Sequence, residues 1–122
     1  MTRLKERNDF MIAPHFSLRE FECRCCGRVQ LSTRLVLLLE ELRGQWGRPV
    51  AVTSGYRCEA RNRLAGGSPA SLHMRGQAVD IVVSLLEQRK IADIAHKLGF
   101  EEIIPGGRRN YLHLGLKTLN LC

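Results

Sequence analysis

The sequence predicts an α+β fold: a small, mainly antiparallel sheet with flanking helices. Three observations predict it. Residues 33–46 carry apolar side chains at helical spacing, residues 78–83 and 111–116 alternate with a period of two, and the helical stretches fall before and between a few short strands. A chain of 122 residues fits one domain with a single core. Residues 1–14 are expected as an N-terminal arm and residues 15–122 as the domain.

In chain order, Ser17-Leu18-Arg19-Glu20 has the form of a capping box, and Phe16 with Phe21 can act as the hydrophobic staple of a short helix. In residues 33–46, Leu35, Leu38, Leu39, Leu42 and Trp46 follow i, i+3, i+4, i+7 and i+11, which makes this the main amphipathic helix, with Ser32 as its cap. Pro49 stops helical continuation, and residues 50–53 suit a short strand leading into a Ser54-Gly55-Tyr56-Arg57 turn. A second helix is expected over 58–64, ending before the loop Gly66-Gly67-Ser68-Pro69. After the strand at 78–83, Ser84-Leu85-Leu86-Glu87 is another capping box; Ile91, Ile94, Ala95 and Leu98 form the apolar stripe of the helix it opens, and Gly99 its stop. His96 lies beside that stripe and is not read as a ligand. Strands at 100–104 and 111–116 are joined by residues 105–110, a flexible connection expected on the rim of the site.

With 44% hydrophobic and 25% charged residues the composition is that of an ordinary globular chain rather than a disordered one. No apolar run approaches the roughly 20 residues of a membrane span, and residues 1–7 are not followed by the apolar stretch of a secretory signal, so a cytoplasmic site of synthesis and retention is expected. The formal charge of +7 favours approach to polyanions, among them nucleic acid and anionic surfaces. The only dense basic pair is Arg108-Arg109 and no nucleic-acid motif accompanies it, so a solvated basic surface is the expected meaning and a basic nucleic-acid-binding module the least favoured.

Five cysteines, Cys23, Cys25, Cys26, Cys58 and Cys122, leave at least one unpaired in any intramolecular disulfide scheme. Cys23-x-x-Cys26 has the spacing of half a structural zinc knuckle, to which Cys58 can add a third thiolate. No second paired Cys or His motif completes the set, so a structural zinc at Cys23 and Cys26 is not expected. Free thiols, or a bridge from this cluster to Cys58, compete with it.

The chemistry concentrates in Ser71-Leu72-His73-Met74-Arg75-Gly76-Gln77-Ala78-Val79-Asp80 and in Tyr111-Leu112-His113-Leu114. On the first strand Val79, Ile81 and Val83 share one face and Asp80 takes the other; on the second, Leu112, Leu114 and Leu116 oppose His113. Two neighbouring strands can therefore present Asp80 and His113 together, while His73 reaches them from the preceding loop, with Gly76 allowing the sharp turn. Two imidazoles and one carboxylate suit zinc and leave a fourth tetrahedral position open, as catalytic sites do.

Ser71-x-His73-x-x-Gly76-x-Ala78-x-Asp80, preceded by Ser54-Gly55-Tyr56-Arg57 and followed by Tyr111-Leu112-His113, resembles the zinc D-Ala-D-Ala carboxypeptidase family, whose fold is shared with the Hedgehog signalling domain. The resemblance runs from about residue 16 to 117. It implies a zinc-dependent peptidase, carboxypeptidase or endopeptidase, acting on bacterial cell-wall peptides, with one catalytic zinc held by His73, Asp80 and His113. It also implies that Arg57 and Ser71, with Tyr56 beside them, line the substrate pocket. Arg57 suits a carboxylate or a polarised carbonyl through bidentate hydrogen bonds. To meet peptidoglycan without a secretory signal, such a protein is expected to be phage-encoded and to act on lysis or from the virion, as a monomer.

One departure stands out. Peptide hydrolysis at a metal needs a carboxylate to take the proton of the attacking water and pass it to the leaving amine. Relatives place an acidic residue shortly before the third ligand, whereas residues 105–111 contain none. The nearest are Glu101 and Glu102, on opposite faces of the expected strand; Glu102 is taken as the catalytic base, with the following glycines folding the chain back. The competing reading is a non-catalytic zinc domain of the same fold that uses its cleft to bind a peptide or partner.

Overall fold

Apolar alternation along the strands and apolar stripes along the helices all turn toward one core. In the computed structural model, which describes residues 8–117, that core sits between one face of a four-stranded sheet and two helices. The first seven residues of the expected arm, and Cys122, lie outside the described residues.

The chain begins with a short antiparallel ribbon, β1 (Met11–Ala13) against β2 (Phe16–Ser17). Residues assigned from sequence to the arm thus pair with the start of the domain. Helix α1 (Thr33–Trp46) follows the predicted stripe: Leu35, Leu39 and Leu42 are fully buried, and the Ser32 hydroxyl accepts from the Leu35 N–H. Gly47, at φ 74°, ends it in the left-handed conformation. Strand β3 (Val52–Ser54) leads to α2 (Glu59–Leu64), β4 (Ala78–Val82), α3 (Gln88–Leu98), β5 (Glu102–Pro105) and β6 (Tyr111–Gly115). The sheet order is β3-β4-β6-β5, antiparallel at every pairing.

Val79, Ile81, Leu112 and Leu114 are fully buried and pack with Leu35, Leu39, Leu42, Ile91 and Ala95 in a single cluster. Each buried aliphatic side chain contributes about 1.5–3 kcal/mol, so the sheet is anchored by one face and free to use the other. The structure departs from the expected elements mainly at helix starts. The two Ser-x-x-Glu signals open 3-10 turns, Leu18–Phe21 and Leu85–Glu87. At the first, the Ser17 N–H donates to Glu20 and the Phe16 and Phe21 rings meet tilted, centroids 5.9 Å apart; at the second, α3 begins only at Gln88.

The connection 105–110 is not a free loop. Its 3-10 turn, Gly107–Arg109, is latched by buried Gln88, which donates to the Val83 and Gly107 carbonyls and accepts from the Gly107 N–H. Asn110, at φ 59°, accepts from the Leu85 N–H. A glutamine on the inner side of α3 is an unremarkable helix residue in sequence, which is why this brace was not expected.

Candidate metal centre and its cleft

The open face of the sheet carries the site. Asp80 on β4 lies directly across from His113 on β6 in the antiparallel register, and Ser54 on β3 flanks Asp80 on its other side. His73 comes from a 3-10 turn, Leu72–Arg75, that ends at Gly76 with φ 70°. A glycine is needed there twice over. The conformation is left-handed, and a Cβ would stand 2.0 Å from the Gln30 carbonyl oxygen. The Ser32 N–H, which begins the cap of α1, bonds back to the Gly76 carbonyl.

Side-chain contacts fix which ring nitrogens face inward. His73 is 2% exposed and its Nδ1 meets the Gly55 carbonyl oxygen at 2.8 Å. A carbonyl only accepts, so Nδ1 carries the proton and Nε2 presents a lone pair toward Asp80 Oδ1, 3.2 Å away. His113 Nε2 meets Glu102 Oε1 at 2.6 Å, and a carboxylate likewise accepts; the Nδ1 lone pair then faces the same Asp80 oxygen at 3.0 Å. When both imidazoles are neutral, as metal ligands are, this geometry sets three acceptors against one another with no proton between them. A cation resolves that arrangement. The three atoms lie within 4.8 Å of each other, where a tetrahedral zinc about 2.1 Å from each ligand requires roughly 3.4 Å. The donor set and spacing fit zinc.

Electrostatics agree with this arrangement. Burial works to raise the Asp80 pKa, but hydrogen bonds and charge from His113 and His73 outweigh it and hold the carboxyl well below the usual range. Burial works to lower that of His113, and Asp80 and Glu102 together raise it. In the absence of a cation, a proton on His113 is the alternative way to satisfy the carboxylate.

Arg57 reaches the site from the loop after β3. All its guanidinium nitrogens are engaged, Nε with Ser54 Oγ at 3.0 Å, Nη1 with Asn62 Oδ1 at 3.4 Å and Nη2 with Asp80 Oδ2 at 3.2 Å. Arg57 therefore holds the outer oxygen of Asp80 while Oδ1 faces the histidines. Burial lowers its pKa, against the attraction of Asp80.

These residues line a cleft of about 580 Å³ whose walls include Ser71, Glu102, Arg109 and Tyr111. Ser71 caps the His73 turn by accepting from the His73 N–H. Tyr56 lies outside the lining, and its N–H donates to the Phe21 carbonyl. Among the described residues, Glu102 is the one carboxylate besides Asp80 on these walls. It leans onto His113 because it pairs across from Gly115: a Cβ there would stand 3.2 Å from Glu102 Oε1. The glycine that matters is thus on the partner strand, not among those after β5. Sequence reasoning passed over Asn62, which is 2% exposed, bonds Arg57 and donates to the Ser68 carbonyl. Arg109 stands on the cleft wall, within the connection 105–110 that the sequence places on the rim of the site, whereas Tyr111 was not singled out as a wall residue.

A second cluster gathers nearby. Cys23, Cys25, Cys26 and Cys58 bring their sulfurs within 4.8 Å of one another. The fold brings Cys58 to the Cys23-x-x-Cys26 pair, as a third thiolate requires, and Cys25 adds a fourth sulfur that no second paired motif in the sequence announces. Contact across 33 residues is set by tertiary packing that spacing does not display. At Cys23, burial works to raise the thiol pKa, but N–H groups of Cys58, Cys25 and Cys26 outweigh it and bring it down to about 6.

Among known proteins, the family model of Peptidase M15 matches residues 14–115, nearly the whole chain. No curated protein matches it. With its histidine and aspartate cluster in an open cleft, the chain belongs to the Peptidase M15 family, the zinc-dependent, D-Ala-D-Ala carboxypeptidase-like metallopeptidases.

Proposed function

We propose that this protein hydrolyses peptide bonds in the stem peptides of bacterial peptidoglycan, with zinc held by His73 Nε2, Asp80 Oδ1 and His113 Nδ1. The observation that carries the reading is the set of three inward-facing lone pairs on one open cleft, in a chain of this family. Zinc bound there supplies Lewis acidity toward water and the scissile carbonyl.

The chain's own residues do the rest. Glu102 is the base candidate: it takes a proton from the attacking water and returns it to the leaving amine. Arg57 fixes Asp80 and turns its remaining N–H groups to a substrate carboxylate, as does Arg109 across the cleft. Ser71 keeps the His73 turn in place and adds a hydroxyl to the wall. Among the described residues no helix is long and apolar enough to cross a membrane.

A second reading is favoured by one contact. Glu102 Oε1 is committed to His113 Nε2 at 2.6 Å, the place of a residue that orients a ligand histidine. With no further carboxylate on the walls among the described residues, the cleft would then bind peptide without cutting it. Zinc-loaded protein incubated with purified muropeptides of several stem types separates the two by mass spectrometry. Release of a terminal D-alanine or cleavage of a cross-link supports the peptidase. Unchanged masses, with about one zinc bound in the cleft and retained muropeptide, support the binder.

A further inference from the structure

We propose that Cys23, Cys25, Cys26 and Cys58 bind a structural zinc ion as a tetrathiolate, separate from the cleft. The sulfurs are arranged as such a site requires. Cys25 Sγ lies 3.6 Å from Cys23 Sγ and 3.2 Å from Cys58 Sγ, and all four lie within 4.8 Å of one another. A tetrahedral zinc with Zn–S near 2.3 Å separates its sulfurs by roughly 3.8 Å. A disulfide needs about 2.05 Å, and these four cysteines are free. Cys25 touches two sulfurs at once, so no single pairing accounts for its position, whereas a central cation does.

The backbone is shaped for the same purpose. Residues 23–28 turn back on themselves, with the Gly27 N–H bonded to the Cys23 carbonyl and the Cys23 N–H to that of Arg28; Gly27 sits at φ 74°. Cys58 caps α2, and its own N–H points at Cys23 Sγ, 3.4 Å away, while the Arg61 N–H points at Cys58 Sγ, 3.5 Å away. Donors aimed at sulfur stabilise thiolates, the form that binds metal. On binding, the thiol protons leave to solvent and the complex carries a net negative charge. Arg28 stands close enough to Cys26 for each to stabilise the other's charge, and so serves as counter-charge.

The ion would add a staple to two segments already held by bonds from the Arg24 guanidinium to the Val52 and Thr53 carbonyls and from the Tyr56 N–H to the Phe21 carbonyl. Of the four cysteines only Cys23 is buried. Gly55 lies against the Phe21 backbone so closely that a Cβ would stand 2.6 Å from its Cα. Cys58 directly follows Arg57, so the staple fixes the outer end of the loop whose inner end holds Asp80.

The test is metal content and cobalt spectroscopy of the whole chain purified with reductant and without chelator. About two zinc ions per chain are expected, with about one retained when His73 and His113 are both replaced by alanine, and about one when Cys25 and Cys58 are both replaced by serine. Wild-type protein loaded with cobalt should show the intense near-ultraviolet thiolate-to-metal charge transfer, which cleft ligands of nitrogen and oxygen do not give. That measurement requires no variant to fold. Absence of charge transfer overturns the proposal. So does a Cys25–Cys58 disulfide, in protein isolated without reductant, that retains no zinc outside the cleft.

Discussion

Two clusters of metal-ligating side chains stand at either end of the Arg57-Cys58 step, and they are built in opposite ways. The cleft cluster rests on two paired strands and a tight turn bonded back to the neighbouring chain: its side chains are 3%, 16% and 14% exposed at His73, Asp80 and His113, and each has a second partner holding it in orientation. The cysteine cluster rests on loops and a helix cap, with Cys25 and Cys26 exposed. A site on strands is preorganised by the sheet, so its ligands are in place before an ion arrives. A site on loops must draw part of its order from what it binds.

The sharpest way to break that contrast is to remove Asp80. Asp80→Ala should bring hydrolysis to background and, by leaving the Arg57 guanidinium buried without its carboxylate, lower stability by about 3–5 kcal/mol in urea denaturation. If stability is unchanged, the cleft is not the rigid partner in the comparison.

Glu102→Gln comes next and addresses the double role of that residue. Loss of a general base lowers kcat by about 10²–10⁴-fold with zinc affinity nearly kept. Loss of an orienting partner weakens zinc by about 10–100-fold. Zinc competition titration beside steady-state kinetics tells them apart, and a variant with both values intact removes Glu102 from either role.

These two residues also show what a sequence can display. The alternation of Val79, Ile81 and Val83, and of Leu112, Leu114 and Leu116, predicts the faces on which Asp80 and His113 stand, and the structure sets them opposite each other. Gly76 is legible as a turn for the same reason: local conformation is encoded locally. The approach of Glu102 to His113 depends on Gly115 across a register that no pattern within either strand reveals. Cys25 is further out of reach, since its neighbour Cys58 is brought to it by the packing of Gly55 on Phe21. Alternation projects ligands from strands; it says nothing of loops that meet in space.

Two glycines carry the comparison into the backbone. Gly76 and Gly27 have nearly equal φ, 70° and 74°, but a Cβ at Gly76 would collide with the Gln30 carbonyl, whereas at Gly27 it meets nothing within 4 Å. Gly76→Ala should therefore cost about 3 kcal/mol or more, and Gly27→Ala only the about 1–2 kcal/mol of the left-handed conformation. Urea midpoints measure both. Equal losses would mean that the cysteine loop is packed as tightly as the cleft.

The smallest effect belongs to a pair that touches neither cluster and so serves as their control. His15, at the tip of the β1-β2 ribbon, bonds Glu40 of α1 through both its N–H and its ring. Burial works to raise the Glu40 pKa, but these His15 contacts outweigh it and hold the pKa below 4.5. A carboxyl depressed on folding adds stability above its unfolded pKa, and that increment fades as pH falls through the folded one. Glu40→Gln should accordingly cost about 0.2–1 kcal/mol at pH 7, in the range of exposed ion pairs, and nothing once acid has protonated the wild-type carboxyl. Zinc content should not change at either pH. If it does, the ribbon is coupled to a metal cluster, and the two sites are less independent than their construction implies.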